Sequence, residues 1–359
     1  MSSPTSLQQL DTIEQLEAVK QQWDNLGSSI ASPTQTASWL QSAAAAFPQW
    51  ALRALVLDDG GLEAAAPLVS RFRYREAASV RQLYEPVDLL WASESALERL
   101  TESIARRHLP LVLGRVPSES PSVGALRAAY GRSAAVVTRP RSGLPVVELD
   151  EGWQEPESKF NADRRSDFRR ARRRAEEVGP VELELCAPQG ADVGPVLDAA
   201  LDVELRSWKG QTGTALLQDP LRLAFFRDYA ARSAADGNLR IVFLRAGETA
   251  IAMQLAVERG GSMWLLKIAY DEEHRRSSPG QLLMLEMIRR QAAELQTIEF
   301  MGASAPWVTL WATYERPSSS VAFLPARPGS LPPLAETGLR PLAARVHRSW
   351  ASRPGKSPS

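Results

Sequence analysis

The sequence predicts an α/β protein built from two related halves. The chain has 359 residues, which is longer than one hydrophobic core usually extends, so two domains are expected. One pattern occurs twice: LRALVL at residues 52–57 and LRIVFL at residues 239–244 each lead through a Gly-containing turn into a second apolar strand. Such self-similarity indicates duplication of one α/β unit, and a chance likeness of two Leu/Val-rich hairpins is the alternative.

In the first half, assigned to residues 1–152, apolar residues at three- and four-residue spacing predict a helix over residues 6–26 and another over 36–47. Two apolar runs around Asp-Asp-Gly-Gly predict a hairpin over residues 52–69. The other expected elements of this half are strands at 80–91, 111–116, 134–137 and 144–149 and a helix at 94–107.

The second half is assigned to residues 153–325, and residues 326–359 are expected to be a loosely ordered tail rich in Pro and Arg. It begins with a strongly basic helix at 162–178. Its other expected helices lie at 193–208, 219–235 and 281–294, and its strands at 181–186, 239–248, 249–257, 262–270 and 298–301.

Composition narrows the function. The 42 basic and 42 acidic residues cancel, so no global field favours nucleic acid or a membrane surface. The single cysteine, Cys186, excludes an intramolecular disulfide and a multi-cysteine zinc site, and three scattered histidines give no basis for a metal centre. The start of the chain has no signal-peptide pattern, and no run of 18 apolar residues occurs. A cytoplasmic protein without membrane insertion, monomeric or homodimeric, is therefore expected.

The most informative local pattern lies between the predicted strand at 262–270 and the helix that follows Ser278-Pro279-Gly280. A helix N-terminus presents unpaired backbone N–H groups and the positive end of the helix dipole. Small residues before it let an anion approach, and arginines 275 and 276 can add contacts, so the turn suits a phosphate or pyrophosphate. A capped helix with solvated arginines, in which Ser278 is the N-cap, is the alternative.

This strand–loop–helix order resembles the coenzyme A site of the GNAT acetyltransferases, and the chain is most similar to their CelD-like branch, named for cellulose-biosynthesis acetyltransferases. The likeness extends over residues 20–315. It is carried by WDNL at 23–26 with SWL at 38–40, FRRARR at 168–173, ELRSWKG at 204–210 with GTAL at 213–216, and AYD at 269–271 with SPGQLL at 278–283. The resemblance implies two tandem GNAT-like domains, each a mixed, mostly antiparallel twisted sheet flanked by helices, of which the first is degenerate.

It also implies a transferase that binds acyl-CoA, most simply acetyl-CoA, in the second domain and passes the acyl group directly to an amine of a small-molecule or sugar-linked acceptor in a biosynthetic step. The residues expected to bind the cofactor are Ile268, Ala269, Tyr270, Arg275, Arg276, Ser277, Ser278, Gly280 and Gln281. The residues expected to line the acceptor pocket are Trp208, Lys209, Trp264, Trp307 and Trp311.

Direct acyl transfer needs a base for the amine and a proton donor for the leaving thiolate. Glu204, in a predicted helix beside Trp208, and Asp271, at the end of the central strand, are the candidate bases. Tyr314 is the candidate proton donor. The alternative roles are a carboxylate paired with Arg206 or Lys209, a loop cap, and an aromatic that packs against the last helix, respectively.

Two other functions stay open. The arginines of the basic helix form a local patch that suits RNA phosphates, which points to an aminoacyl-tRNA-dependent transferase of the same double fold. Relatives commonly carry Tyr-Lys-x-x-Trp near residue 307, whereas this chain has Trp307-Val308-Thr309-Leu310-Trp311. The missing lysine leaves room for a different acceptor, a different donor or a catalytically silent scaffold.

Overall fold

The computed structural model describes residues 6–26, 32–71, 74–77, 83, 85–302, 305–326 and 328–330. Within these ranges the strands form a small sheet and a large one. The small sheet has the order β1 (Ser6–Leu10), β3 (Ala54–Asp58), β4 (Leu62–Ala66), β7 (Leu90–Trp91). The large sheet has the order β10 (Val181–Cys186), β11 (Leu239–Ala246), β12 (Thr249–Arg259), β13 (Ser262–Tyr270), β14 (Thr297–Phe300), β9 (Ala134–Glu148), β15 (Tyr314–Pro325), β8 (Leu111–Pro117), β6 (Tyr74–Ala77), β5 (Leu68–Arg71), β2 (Ala51–Leu52).

The helices lie against these sheets. They are α1 (Ile13–Ala18), α2 (Lys20–Leu26), α3 (Ala37–Ala46), α4 (Glu94–Arg106), α5 (Pro121–Tyr130), α6 (Ala162–Glu176), α7 (Val193–Leu205), α8 (Trp208–Gln211), α9 (Pro220–Ala235), α10 (Pro279–Gln291) and α11 (Pro306–Thr309). Local sequence explains where several begin. The Asn161 side chain accepts the Arg164 N–H before α6, and Asp219 accepts the Arg222 N–H before α9. The predicted mixed, mostly antiparallel sheet flanked by helices is confirmed.

The large sheet runs without interruption through both halves of the sequence. Strand β15 pairs antiparallel with β9 from Tyr314 opposite Val146 to Pro325 opposite Ala134, and its other edge pairs with β8. Strand β9 also pairs with β14. A strand from the end of the described chain therefore joins the sheet of the first half, and the proposed boundary at 152/153 stays a prediction.

Four predictions of secondary structure were wrong. Residues 6–10 are a strand rather than the start of a helix, because Leu10 and its neighbours pair with β3, and the helix begins only at Ile13, where Thr12 and Gln15 form a capping box. The helix expected to reach residue 208 ends at Leu205. The two short strands expected between residues 134 and 149 are one strand, β9, which β15 supports along its length. Only Leu90–Trp91 of the strand region expected at 80–91 is a strand, while residues 78–82 and 84 lie outside the described ranges.

Both predicted hairpins are confirmed, as β3–β4 and β11–β12, whereas the duplication itself stays a prediction. The predicted strand at 262–270 matches β13. The tail from residue 331 onward lies outside the described ranges. No described helix is long and apolar enough to cross a bilayer.

A cluster of aromatic side chains packs α3 of the first half against α9 of the second half. Trp39 of α3 packs edge-on against Phe225 and Tyr229 of α9, with ring centroids 4.8 and 4.9 Å apart. Ser42 Oγ adds a hydrogen bond of 2.7 Å to Asp228 of α9. Buried edge-to-face pairs of this kind stabilise beyond their area burial, so α9 is held firmly by the first half.

Candidate functional site

The cavity begins where two parallel strands separate. Strands β13 and β14 pair only from Ser262 opposite Thr297 to Leu265 opposite Phe300. Just beyond, Leu266 forms a bulge, because Leu265 pairs with Ala256 of β12 while Lys267 pairs with Leu255. The bulge and the separation leave a cavity of about 750 Å³ between the carboxyl ends of the two strands.

The N-terminus of α10 forms one side of this cavity. A 3-10 turn, Glu272–Ser277, connects it to β13, and Ser278 adopts the left-handed conformation with φ 47°. Ser278, Gly280 and Gln281 line the cavity. A Cβ on Gly280 would lie 3.4 Å from Cδ1 of Tyr270, an ordinary van der Waals contact. The start of this 13-residue helix, where the helix dipole is positive, borders an open cavity.

A smaller pocket of about 320 Å³ lies on the other side of the same helix start. It shares Ser278 and Gln281 with the cavity, and its remaining polar lining comes from Arg164, Asp167, Arg170, Arg174 and Arg276. Arg174 of α6 fixes the turn, because its Nη1 donates a hydrogen bond of 2.9 Å to the main-chain oxygen of Arg276. The N-terminus of α10 thus stands between an apolar cavity and an arginine-rich pocket.

Most of the predicted site residues meet in these two places. The cavity lining contains Glu204, Trp208, Lys209, Ile268, Ala269, Tyr270, Arg275, Ser278, Gly280, Gln281 and Trp307, together with Val308. Arg276 lines the smaller pocket. The predicted residues that line neither space are Asp271, Ser277, Trp264, Trp311 and Tyr314.

Glu204 connects neighbouring segments of the cavity wall through hydrogen bonds. It is 1% exposed, its Oε1 accepts a hydrogen bond of 3.1 Å from Lys209 Nζ, and its Oε2 accepts one of 2.9 Å from the Leu216 N–H. Lys209 Nζ also donates to the main-chain oxygen of Ile268 in β13 at 2.8 Å. Both carboxylate oxygens are thus occupied, while the catalytic role of Glu204 stays a prediction.

Two of the predicted residues outside the two pockets, Asp271 and Trp311, have clear packing partners. Asp271 caps the 3-10 turn by accepting the Glu273 N–H at 3.0 Å, and it pairs with Arg206 Nε at 2.6 Å. Trp311 is buried against Phe160 and Phe168. Tyr314 is 41% exposed at the start of β15, and partial burial raises its pKa. Their predicted roles in catalysis and binding remain untested.

Three charged residues that line the cavity, Glu85, Arg222 and Lys267, were missed by sequence analysis. Lys267 Nζ lies 3.6 Å from Glu85 Oε1 and 4.6 Å from the ring centroid of Phe226. Burial raises the pKa of Glu85 and lowers that of Lys267, and each charge offsets part of the other's shift. One feature of the sequence could have indicated this site: Lys267 is the only charged residue of the apolar strand β13.

Hydrogen bonds hold the segment that carries Glu85 in place. The Val87 N–H donates to the main-chain oxygen of Arg115 at 3.1 Å, and Thr34 Oγ1 donates to that of Pro86. Buried Arg115 also donates to the main-chain oxygens of Met301 and Gly302, at 2.5 and 2.9 Å. The first half of the chain therefore fixes both Glu85 and the segment after β14 at the cavity.

We expect the free energy of unfolding to depend on pH through Asp88, which lies three residues beyond Glu85. Burial raises its pKa to about 6, although its carboxylate accepts hydrogen bonds from Ser120 Oγ and the Leu89 N–H. A raised folded-state pKa means that the stabilisation is present at low pH and is lost as the pH rises through that value. Relative to Asp88→Asn, the free energy of unfolding of the wild type should fall by roughly 2–3 kcal/mol between pH 4 and 7.

Urea unfolding at closely spaced pH values measures that difference. Asp59→Asn, in the exposed β3–β4 turn, controls for the general loss of a carboxylate. Identical pH profiles for Asp88→Asn and the wild type would contradict the prediction.

We expect a substitution of Trp208 to affect ligand binding but not the stability of the fold. Its side chain is 52% exposed at the cavity mouth, so Trp208→Ala should change the free energy of unfolding by no more than about 0.5 kcal/mol. The same change should weaken the response of the melting temperature to a ligand that binds in the cavity. Trp39→Ala, at a fully buried position, is the contrasting variant and should cost about 3–5 kcal/mol.

Part of this chain matches a known domain family. Residues 162–308 match the family model described as Acetyltransferase (GNAT) domain. No curated protein matches the chain. Three solved structures share the fold at low identity.

FemX is 12% identical with a TM-score of 0.57, and the match covers 84% of this chain and 95% of FemX. A C-terminal DUF2156 domain from Agrobacterium fabrum is 11% identical with a TM-score of 0.55, over 92% of this chain and 96% of that one. L-PGS from Bacillus licheniformis is 13% identical with a TM-score of 0.52, over 91% and 96%. At this identity the three structures show a shared fold and nothing about substrates.

Proposed function

We propose that this chain, a GNAT-type acyltransferase, moves the acyl group of acyl-CoA, most simply acetyl-CoA, directly to an amine of a small-molecule or sugar-linked acceptor. The observation that carries the proposal is the start of α10 at the open end of β13, where the positive end of the helix dipole borders a cavity of about 750 Å³. The four sequence stretches that resemble the CelD-like branch support membership in that branch.

The chemistry of the lining fits acyl-CoA. Ser278, Gly280 and Gln281 would hold the pyrophosphate at the helix start, and Arg275 would add charge. Ile268 and Ala269, on the edge of β13 that β14 leaves unpaired, would meet the pantetheine chain. When bound, the cofactor supplies a thioester whose carbonyl carbon an amine can attack.

The residues of the chain then position the acceptor and move protons. Trp208 and Trp307 are exposed at the cavity, where their rings can hold an acceptor and exclude water. We retain Glu204 and Asp271 as candidate bases and Tyr314 as candidate proton donor for the leaving thiolate. The hydrogen bonds that occupy Glu204 and Asp271 support a positioning role for each at least as well as a proton-transfer role.

A specific observation favours a second function. Arg164, Arg170, Arg174 and Arg276 gather around the smaller pocket next to the same helix start. Such a cluster suits the phosphates of RNA, so an aminoacyl-tRNA-dependent transferase is the alternative. Asp167 lies within the cluster and pairs with Arg170, which reduces its net charge.

Ligand-dependent stabilisation separates these functions. Acetyl-CoA or CoA should raise the melting temperature if the chain uses acyl-CoA, because a ligand that binds only the folded state stabilises it. Stabilisation by tRNA without any response to CoA would favour the alternative. Silence with both would favour the catalytically silent scaffold that the valine at position 308 keeps open.

A further inference from the structure

One wall of the cavity carries more positive than negative charge. Its charged residues are Glu85, Glu204, Lys209, Arg222 and Lys267, and we refer to them as the charged wall. Lys209 pairs with Glu204 at 3.1 Å, and Lys267 pairs with Glu85 at 3.6 Å. Among the described residues no carboxylate forms an ion pair with Arg222, which leaves this guanidinium as the unbalanced charge.

The Nε atom of Arg222 is buried and also has no hydrogen-bond partner among the described residues. Buried donors in folded proteins are almost always paired, because leaving one unpaired costs free energy. The buried Nε cannot reach a ligand itself, but among the described residues the guanidinium has no hydrogen-bond or ion-pair partner, so its N–H groups at the cavity surface can bind a ligand with acceptor atoms.

The position of Arg222 places it beside Lys267. Arg222 and Phe226 are four residues apart on α9 and so lie on the same face of the helix. Lys267 Nζ stands 4.6 Å from the Phe226 ring centroid, and the charge of Arg222 lowers the pKa of both Lys267 and Glu85. Two cations from different elements thus line the same cavity, and the Glu85 carboxylate pairs with Lys267.

Resting on the acyl transfer proposed above, we infer that the acceptor carries a carboxylate or a phosphate in addition to its amine, and that Arg222 binds this anionic group. A guanidinium binds both groups through two parallel hydrogen bonds. Glu85 neutralises Lys267, so Arg222 is the residue that distinguishes an acidic acceptor from a neutral one. The apolar part of the cavity, with Leu265, Leu266 and Phe300, holds the rest of the acceptor.

The first test needs no identified acceptor. The melting temperature is measured at constant ionic strength while inorganic phosphate or acetate replaces chloride, with CoA in excess so that the start of α10 is not available to the probe. Wild type, Arg222→Met, Arg222→Lys and Arg227→Met are compared. Arg227 is the matched control, because it lies on the same helix but pairs with Asp198 on the surface at 2.7 Å.

Wild type and Arg227→Met should bind the probe anion about tenfold or more tightly than Arg222→Met, and Arg222→Lys should retain part of the response. A response to acetate assigns a carboxylate, and a response to phosphate alone assigns a phosphate. An equal response in Arg222→Met and wild type would overturn the inference, as would an absence of response in every variant.

The second test uses pairs of amines with and without an acidic group, glycine with glycinamide and glucosamine 6-phosphate with glucosamine. CoA release from acetyl-CoA is followed. In wild type and Arg227→Met, kcat/KM should be about tenfold higher for an acidic member, and Arg222→Met should lose this preference. Equal or better use of the neutral members by the wild type would contradict the inference.

Failure of the proposed function has a different signature. A wild type that neither binds CoA nor releases it from acetyl-CoA refutes acyl-CoA use, whereas the comparison of Arg222→Met with Arg227→Met still decides whether the charged wall binds an anion.

Discussion

Replacing Gly280 with aspartate should abolish acetyl-CoA binding and leave the fold intact. Gly280 is the second residue of α10 and lines the cavity at the proposed pyrophosphate position. A carboxylate there would repel the phosphates, and such like-charge contacts cost several kcal/mol, so the dissociation constant should rise by about 100-fold or more. The new Cβ, 3.4 Å from Tyr270 Cδ1, would make only an ordinary van der Waals contact, so the effect comes from the charge.

Folding should survive because an acidic residue in the first turn of a helix is favourable. The matched control is Gly194→Asp, since Gly194 is the second residue of α7, another 13-residue helix, and a Cβ there meets no atom within 4 Å. Isothermal titration with acetyl-CoA measures both variants. If Gly280→Asp binds acetyl-CoA as tightly as Gly194→Asp does, the start of α10 is not the pyrophosphate site.

Removing one partner of the Glu85–Lys267 pair should cause the largest loss of stability among charged residues at the cavity. Lys267→Met leaves the Glu85 carboxylate buried without its ammonium partner, and breaking a buried pair in this way costs about 3–5 kcal/mol. The double variant Glu85→Gln/Lys267→Met removes both charges and should regain most of the loss, because a neutral pair needs no desolvation of ions.

Chemical denaturation of the two single variants and the double variant provides the coupling free energy. The reference is the exposed pair Arg227–Asp198, whose removal should change the free energy of unfolding by no more than about 1 kcal/mol. Additive losses at Glu85 and Lys267 would show that the two charges do not interact. Because Glu85 belongs to the first half and Lys267 to β13, a large coupling would also show that the halves stabilise each other at the cavity.

Much of the second half could be predicted from sequence. Strand β13 is a nearly continuous apolar run, helix α10 has an apolar side, and Ser278-Pro279-Gly280 marks the helix start by local chemistry alone. Helix α6 was also predicted, as a strongly basic helix at 162–178, and the structure has it at Ala162–Glu176. Prediction was poorer where the structure of a segment depends on a pairing partner that is far away in the sequence. Residues 6–10 form a strand because they pair with β3, and β9 is one long strand because it pairs with β15 along its length.

The candidate site divides in the same way. Trp208, Lys209, Tyr270, Gly280 and Trp307 were all expected in a binding site, and the structure gathers them around one cavity. Asp271 and Trp311 were expected there too, but their side chains turn to Arg206 and to the Phe160–Phe168 cluster. Asp271 follows strand β13, and the bulge at Leu266 changes which face of the sheet the later residues of that strand occupy, which their position in the sequence does not reveal.

The sequence by itself determined the α/β class, the strand–turn–helix of the proposed cofactor site and the family resemblance, because these depend on periodicity, capping and neighbouring residues. Only the tertiary structure brought Glu85 from the first half to Lys267 and left the Arg222 Nε without a partner among the described residues. Glu85 and Lys267 are more than a hundred residues apart in the sequence, so burial and charge pairing, rather than local preference, decide what each of these side chains faces.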